Sequence, residues 1–284
     1  MRTDTSPQVT VIIPTFNRSK MLGKAIRSVL DQDFSDFELL VIDDGSTDQT
    51  PSLLKSFEGR IKTIRQNNKG VSAARNLGIA HASGRLIAFL DSDDYWLPGK
   101  LTAQTAFFHS NPESMICQTQ EIWIRNGRRV NPKHRHEKRS GMIFEPSLAL
   151  CLVSPSAVMI RRHLLDRVGR FDENLPACED YDLWLRIGHR YPIHLIDLPL
   201  VVKRGGHPDQ LSTAPGLDKF RIASLRNLID SGELNAQQEW AARRMLQKKC
   251  GIYSNGCRKR NRLREADAYR KLGEHYGFHT GEAD

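Results

Sequence analysis

The chain has few cysteines, and their spacing argues against two classes of protein. It contains five cysteines in 284 residues, an odd number, and none of them forms a C-x-x-C pair. Disulfide-rich secreted domains and zinc sites both need cysteines at short, regular spacings. We therefore interpret these residues as reduced thiols that pack as small core side chains. They are Cys117, Cys151, Cys178, Cys250 and Cys257.

Long apolar runs are also missing. No run approaches the roughly 20 residues that a membrane-spanning helix needs. The N-terminal residues MRTDTSPQ are polar, whereas a signal peptide carries an apolar stretch near this position. We therefore expect a cytoplasmic protein. Internal repeats and low-complexity tracts are absent, and the length suits one large α/β domain or a main domain with an appendage.

Basic residues are in excess. Lys and Arg number 42 against 33 Asp and Glu, which makes the formal net charge +9. Much of the excess lies in residues 125–139 and 243–271. This charge is compatible with an anionic partner such as nucleic acid, anionic lipid or a phosphorylated substrate. A solvated basic surface is the favoured interpretation, also for the histidine-rich loop at residues 131–140, for which a lid is the alternative.

Apolar, β-branched runs alternate with helical patterns over the first hundred residues. This alternation predicts a parallel sheet with helices on both faces. The sequence also predicts a strand at residues 115–124, a hairpin turn at Asn126-Gly127 and a strand at residues 193–203. The first predicted strands are residues 9–13, 37–42, 61–65 and 86–90, and Ser19 is predicted to cap the first helix.

Polar clusters follow each of these early strands. The carboxyl ends of parallel strands meet at one edge of a sheet, so the clusters should line one crevice. Neither a G-x-G-x-x-G nor a G-x-x-x-x-G-K-[ST] sequence occurs, which argues against a dinucleotide site and a phosphate loop. The clusters are residues 15–18, 43–46, 67–70 and 91–94.

The most acidic cluster is Asp91, Asp93 and Asp94, directly after the apolar run LIAFL. Carboxylates this close repel one another unless a cation or a proton neutralises them. A divalent metal such as Mg²⁺ takes oxygen ligands of this kind. An isolated D-x-D is more often a solvated acidic turn, but an acidic crevice with few glycines would need a metal in order to bind phosphates.

A second acidic group, Glu179, Asp180 and Asp182, precedes apolar residues at helical spacing. These residues fall in the first turn of a predicted helix, where the macrodipole favours negative charge. Helix capping is therefore as well supported as catalysis. His207 follows two glycines that would allow a close approach to a ligand, although a lone histidine is more often a surface residue.

The composition changes near residue 217 to one typical of basic helices. Helices are predicted at residues 220–229, 236–252 and 260–272, with Asn255-Gly256 and Gly273 as breaks. A solvated cap that packs on the main domain is favoured. The alternative is a surface that binds an anionic membrane or a partner.

Taken together, these motifs resemble those of the family 2 glycosyltransferases, which have the GT-A fold. The resemblance covers about residues 8–212, and five motifs in this order are far more specific than any one of them. They are VIIPTFNR (11–18), VIDDGSTD (41–48), NNKGVSAARNLGIAHASG (67–84), FLDSDDYW (89–96) and ED (179–180).

The resemblance implies a Rossmann-like, mostly parallel sheet with helices on both faces and a C-terminal helical appendage. Residues 1–212 would form the transferase domain and residues 213–284 a basic helical extension. Within the domain, residues 8–111 would bind the nucleotide and residues 112–212 the acceptor.

The resemblance also implies roles for individual residues. Asp180 would be the catalytic base, with Glu179 positioning the acceptor or sharing the role. Asp93 would bind the metal, with Asp94 as a competing ligand and His207 reaching the metal or the diphosphate. The donor nucleotide sugar would contact Pro14, Thr15, Asn17, Asp43, Asp44, Gly70, Arg75, Asp91 and Ser92.

The implied reaction moves a sugar from a nucleotide-diphosphate sugar, with UDP as the expected nucleotide, to an acceptor hydroxyl with inversion. Mn²⁺ or Mg²⁺ would stabilise the leaving diphosphate. No Q-x-x-R-W segment follows the base, which favours single additions over processive synthesis. Cell-surface polysaccharide or a lipid-linked glycan is the expected product, at the inner face of the membrane; nucleic acid is not an expected partner.

Two alternatives stay open at this point. A sugar nucleotidyltransferase would also use acidic metal ligands, but the glycine-rich basic loop expected after its first strand is missing; a phosphatase is weaker still. The non-enzyme alternative is an inactive binding module recruited to a membrane through its basic helices.

Overall fold

The structure is a computed structural model that describes residues 6–206 and 215–277. The strands are β1 Val9–Thr15, β2 Phe37–Asp43, β3 Lys62–Arg65, β4 Leu86–Phe89, β5 Tyr95–Trp96, β6 Ile116–Arg125, β7 Arg128–Val130, β8 Val158–Arg161 and β9 His194–Gly205. The helices are α1 Ser19–Leu30, α2 Thr50–Lys55, α3 Val71–His81, α4 Lys100–Ser110, α5 Phe144–Ala149, α6 Arg162–Val168, α7 Glu179–Gly188, α8 Asp218–Asp230, α9 Ala236–Lys259 and α10 Leu263–Tyr276.

Within these residues the strands form one nine-stranded sheet in the order β3-β2-β1-β4-β8-β6-β9-β5, with β7 beside β6. The first part, β3-β2-β1-β4, is parallel. From β8 onward the sheet is mixed, since β8 runs antiparallel to β4 and β6 while β9 is parallel to β6. The predicted α/β fold is confirmed, and the all-parallel part of the sheet lies within the first hundred residues.

The strand β1 is buried on both faces, as its mostly apolar, β-branched sequence predicts. Val11 and Ile13 face the core that α1 covers, whereas Ile12 faces the core that contains residues of α3. A Cβ at Gly78 would lie 2.5 Å from Cγ2 of Ile12. Glycine at this position therefore lets α3 pack directly on the strand whose end opens into the crevice.

Two details at the end of β1 differ from the prediction. The strand continues through Pro14 to Thr15 because the ladder to β4 ends at Ile12 and Phe89, so the missing N–H of Pro14 costs no ladder bond. Ser19 is not a cap. It is the first residue of α1, and its hydroxyl donates to Oδ2 of Asp48 at 2.8 Å.

The helices α8, α9 and α10 share a core with the main sheet domain. Leu225 and Leu246 pack in one cluster with Phe144 of α5 and with Tyr181 and Leu185 of α7. The helices therefore cover the elements beside the second acidic group. A domain boundary at residue 212 stays a prediction.

The predicted helix breaks in this extension are wrong. Asn255-Gly256 lies inside α9 and Gly273 inside α10. A Cβ at Gly273 would lie 2.9 Å from Cβ of Cys250, so glycine there allows the two helices to approach closely. Burial of Tyr253 and Cys257 on either side of Gly256 offsets the roughly 1 kcal/mol that glycine costs inside a helix.

The basic loop at residues 131–140 is only partly the solvated segment that the sequence predicts. Residues 131–135 are exposed, but the side chain of Lys138 is 6% exposed. Its Nζ donates to Oε1 of Gln118 at 2.9 Å and lies 3.3 Å from Oε1 of Glu121. Burial lowers the pKa of Lys138, and Glu121 opposes that effect. Charge composition alone could not reveal this docking, because Glu121 is seventeen residues away in β6.

Glu38 ties the edge of the parallel sheet together, which allows a stability prediction. Its Oε1 accepts from Oγ1 of Thr10 and from N of Ser83, both at 2.7 Å, and its Oε2 accepts from Nζ of Lys62 at 2.7 Å. Burial opposes ionisation, but these donors hold the pKa of Glu38 at about 2, below its ordinary 4.5. The stabilisation is therefore present above pH 4.5 and lost as the pH falls toward 2.

We expect Glu38→Gln to lower the free energy of unfolding by about 2 kcal/mol at neutral pH. The difference from the wild type should shrink as the pH falls below about 4, because the wild-type carboxylate then loses its charge. Urea denaturation across this range measures it, with the exposed Glu58→Gln as a control. A difference that stays constant with pH would contradict the prediction.

Candidate active site

The predicted polar clusters meet at one edge of the sheet. They follow β1, β2, β3 and β4, and the first turn of α7 lies against them through the buried side chain of Arg75. This follows from the parallel arrangement of β1 to β4, whose carboxyl ends share that edge. The side chains can therefore be described as one site with a donor side and an acceptor side.

Asn17 joins the loops after β1 and β2. Its Oδ1 accepts from N of Thr47 at 2.8 Å and from N of Asp48 at 3.2 Å. Its own N–H donates to Oγ of Ser46 at 2.9 Å. Its φ of 52° is left-handed, a conformation that asparagine adopts more readily than most residues. The Asn17 side chain thus fixes the shape of these loops. Pro14 and Thr15 are buried just before it.

Asp43 and Asp44 are both buried and serve different loops. Oδ1 of Asp43 accepts from N of Ser46 at 2.9 Å, which closes the turn of its own loop. Asp44 accepts from N of Lys69 at 2.9 Å and from N of Gly70 at 2.8 Å. These bonds hold the loop that leads into α3. Gly70 has a φ of 91° at the N-cap of that helix, which glycine adopts without strain.

Arg75 is the link between the two sides of the site. Its Nη2 lies 2.7 Å from Oδ1 of Asp91, and its Nη1 lies 2.6 Å from Oε1 of Glu179. The residue is 3% exposed. Burial disfavours its charged form, but the two carboxylates outweigh burial and raise the pKa of Arg75 above its ordinary value. The guanidinium therefore holds the loop after β4 against the start of α7.

The acidic residues after β4 point in different directions. Asp94 is buried: its Oδ2 accepts from Oγ of Ser156 at 2.7 Å, and its Oδ1 accepts from N of Arg204 at 2.9 Å. Burial raises the pKa of Asp94, and the neighbouring Asp93 adds to the effect. Asp93 is half-buried, whereas Ser92 is buried. Both Asp94 oxygens thus accept hydrogen bonds from the protein.

The donor set fits an open site for a hard divalent cation. Among residues 6–206 and 215–277, no group of three or more His, Cys, Asp or Glu side chains has the arrangement of a metal centre. Mg²⁺ commonly binds through one or two carboxylates together with substrate phosphates, and Asp93 with Asp91 nearby can supply that share. His207, the third predicted metal ligand, lies outside the described residues.

The two candidate catalytic carboxylates begin α7. Glu179 is buried; burial raises its pKa, Arg75 opposes this, and Asp180 adds to it. Asp180 is half-buried and accepts at Oδ2 from the thiol of Cys151 at 3.6 Å. Cys178 caps the helix with a φ of 63°. Both carboxylates thus lie at the positive end of a helix dipole.

Lys203 and Ser156 belong to the site and were not predicted. Nζ of Lys203 donates to Oγ of Ser154 at 3.1 Å. Burial lowers its pKa, but Glu121, Asp94, Asp91 and Asp180 outweigh burial, so that the pKa is raised. Lys203 directly follows the apolar run LPLVV, and a charged residue at that position could have indicated a site residue from the sequence.

Ser156 had no sequence signal. Its Oγ accepts from N of Asp91 at 3.1 Å while donating to Asp94. The residue therefore ties the two ends of the acidic stretch to the start of β8.

Comparisons with known proteins agree with this geometry. The model of the family described as Glycosyl transferase family 2 matches residues 10–169. An uncharacterised glycosyltransferase of Rickettsia conorii is 36% identical over 195 residues, which is 68% of this chain but only 32% of that protein. The chain thus spans about a third of that relative's length.

A relative with a stated activity and a solved structure were also found. The UDP-Glc:alpha-D-GlcNAc-diphosphoundecaprenol beta-1,3-glucosyltransferase WfgD of Escherichia coli is 35% identical over 184 residues, 63% of this chain and 69% of that protein. The crystal structure of S. aureus TarS 1-349 in complex with UDP-GlcNAc has a TM-score of 0.71 at 20% identity, over 95% of this chain and 91% of that one. At that identity the likeness shows the fold alone.

Proposed function

The chain belongs to glycosyl transferase family 2, and from this premise we propose that it transfers a sugar from a UDP-sugar to an acceptor hydroxyl by direct displacement with inversion. The observation that carries this proposal is the bridge from Arg75 to Asp91 and Glu179. It holds the predicted donor loop beside the first turn of α7, which contains the predicted base Asp180. Donor and acceptor could therefore meet between Asp91 and Asp180.

Asp180 would remove the proton of the acceptor hydroxyl as that oxygen attacks the anomeric carbon. A general base must lie within hydrogen-bond reach of the proton that it removes, and Asp180 is half-buried whereas Glu179 is buried against Arg75. Glu179 would then act by positioning, since its oxygen is held by the guanidinium. The half-buried Asp91 is proposed to face the ribose or donor sugar.

The donor's leaving group is a diphosphate, whose charge needs a counterion. Mn²⁺ or Mg²⁺ held by Asp93 would supply Lewis-acid stabilisation of that group. Lys203 supplies a fixed positive charge in the same acidic surroundings. The name of one structural neighbour, a mannosyltransferase from Pyrobaculum calidifontis in complex with GDP-Man and Mn²⁺, supports a metal.

The acceptor is proposed to be a glycan or a lipid-linked glycan of the cell surface. WfgD acts on a diphosphoundecaprenol-linked sugar, and a 30% identical relative from Bacillus subtilis is a putative teichuronic acid biosynthesis glycosyltransferase. The experiment that tests the function is a panel of nucleotide sugars, scored for binding and hydrolysis with and without Mn²⁺. The proposal fails if no donor is bound or turned over under either condition.

Replacing Asp93 separates its role from that of Asp94. We expect Asp93→Asn to lower donor turnover about 100-fold and to weaken the Mn²⁺ dependence of UDP binding measured by calorimetry, because a carboxylate ligand is lost.

Asp94→Asn is the matched comparison for this variant. It should instead lower the unfolding temperature, because both Asp94 oxygens accept hydrogen bonds from the protein. An Asp93→Asn variant with unchanged Mn²⁺ dependence would contradict the assignment.

A further inference from the structure

Helix α9 exposes a face with a distinct composition. We call it the α9 face; its residues are spaced to lie on one side of the helix, opposite the buried Leu246, Cys250 and Tyr253. Trp240 is 48% exposed and Ile252 54% exposed, which is unusual for residues of this size. The α9 face consists of Trp240, Arg244, Lys248, Ile252, Arg258 and Lys259, all of them exposed.

The cations of this face are not balanced by carboxylates of the described part of the chain. The one carboxylate of α9, Glu239, lies 2.7 Å from Arg243, which is outside the face. On the neighbouring α10 the arrangement is different, because Arg270 and Lys271 pair with Asp267 and with Glu274. Within residues 215–277, the α9 face is therefore a positive surface, whereas α10 neutralises itself.

The apolar members of the face decide which anionic partner it fits. The guanidinium of Arg244 lies 4.5 Å from the ring centre of Trp240, and Ile252 adds an exposed aliphatic side chain. Nucleic acid would interact favourably with the cations through its phosphates and with the indole by base stacking, but it has no comparable interaction with an isoleucine. A bilayer surface interacts favourably with the cations, the indole and the aliphatic side chain. Indole rings lie at the headgroup level, aliphatic groups enter the acyl boundary, and Lys and Arg reach the phosphates.

We propose that the α9 face docks on the surface of an anionic phospholipid bilayer. The contact would be at the membrane surface; no helix in the described ranges has the length and apolar character needed to cross a membrane. Docking would bring the enzyme to the place where a lipid-linked acceptor lies, and this consequence alone rests on the proposed function.

The docking helix is connected to the predicted base through a short series of contacts. Nζ of Lys249, on the inner side of α9, donates to the carbonyl oxygen of Ala149 at 2.9 Å. Ala149 ends α5, and Cys151 follows closely with its thiol on the Asp180 carboxylate. The bilayer surface would thus be held at a defined distance from the acceptor side of the site.

The test is cosedimentation of the full chain with vesicles of phosphatidylcholine alone or with about one third phosphatidylglycerol. We expect binding to the anionic vesicles only, weakened by high salt. Arg244→Glu with Lys248→Glu should lower the partition coefficient tenfold or more, since each cation near an anionic surface contributes substantially. Trp240→Ala with Ile252→Ser should lower it on the same vesicles at high salt, where the apolar contribution remains.

The control is Lys55→Glu with Arg60→Glu, which changes the net charge equally at exposed positions of the sheet domain. It should keep most of the binding. The proposal would be overturned if the protein partitioned equally onto neutral and anionic vesicles, or if the control variant lost as much binding as the α9 variants. Displacement of the protein from vesicles by single-stranded RNA would also overturn it. Hydrolysis of a soluble nucleotide sugar should be unchanged in the α9 variants. Loss of vesicle binding with intact hydrolysis in the α9 variants therefore tests the docking proposal alone. Absence of hydrolysis in a protein that still binds vesicles would contradict the proposed reaction and leave the docking proposal standing.

Discussion

Asp180→Asn is expected to lower the rate of sugar transfer about 1,000-fold while donor binding stays within about threefold of the wild type. The amide has the same shape as the carboxylate but cannot take a proton from the acceptor hydroxyl, and general-base catalysis contributes about 10² to 10⁴ to a rate. Single-turnover transfer measures the chemical step, and calorimetry measures donor binding. The half-buried position of Asp180 at the start of α7 carries the expectation.

Asp182→Asn is the matched control, since this carboxylate lies in the same helical turn. It is buried and pairs with Arg186 at 2.8 Å, so its loss should affect stability rather than the rate of the folded enzyme. Circular dichroism at low temperature establishes that both variants are folded. If Asp180→Asn kept a tenth of the wild-type rate, a group other than Asp180 would be the base. Glu179→Gln would then be the next variant to measure.

Arg75→Met should lower the free energy of unfolding by about 3–5 kcal/mol, the range found when one partner of a buried ion pair is removed. The side chain of Glu179 is 7% exposed, and without the guanidinium its charge would be buried without compensation. Asp91 would also lose its partner, so transfer should fall together with stability. Chemical denaturation measures the first effect and donor turnover of the folded fraction the second.

A double variant tests whether the buried charge is the cause. Arg75→Met combined with Glu179→Gln should recover part of the lost stability, because the remaining amide is neutral. Arg243→Met removes the exposed pair with Glu239 and should change stability far less. If Arg75→Met were as stable as the wild type, the bridge would not be what holds the two sides of the site together.

The sequence predicted the order of elements well where apolar periodicity is strong. The runs that became β1, β2 and β4 are mostly apolar and mostly buried, so their pattern left little choice. Element boundaries were less accurate, as Pro14 and Ser19 illustrate. The hairpin at Asn126-Gly127 was correct because both residues adopt positive φ, at 49° and 76°, which asparagine and glycine do at low cost.

Other features could not be found without the folded chain. The interior position of Lys138 depends on Glu121, and the helical positions of Gly256 and Gly273 depend on packing between α9 and α10. Local propensity is a weak guide at such positions because tertiary contacts outweigh it. Lys203 was missed for a different reason: it was treated as the end of a strand, although a charged residue at that point was itself a signal.

The acidic stretch after β4 best separates what the sequence determines from what only the folded chain shows. By itself the sequence determined that three carboxylates follow a buried strand, at the edge of the sheet where the other parallel strands end, because strand direction and side-chain chemistry are local properties. It left Asp93 and Asp94 as equal candidates for the metal. Only the tertiary structure shows that their surroundings differ, since Asp94 is buried and accepts hydrogen bonds at both oxygens from Ser156 and the backbone of Arg204, distant in the chain. That Asp93 is the metal ligand stays a proposal. The bridge from Asp91 through Arg75 to Glu179 likewise exists only after residues 104 apart meet.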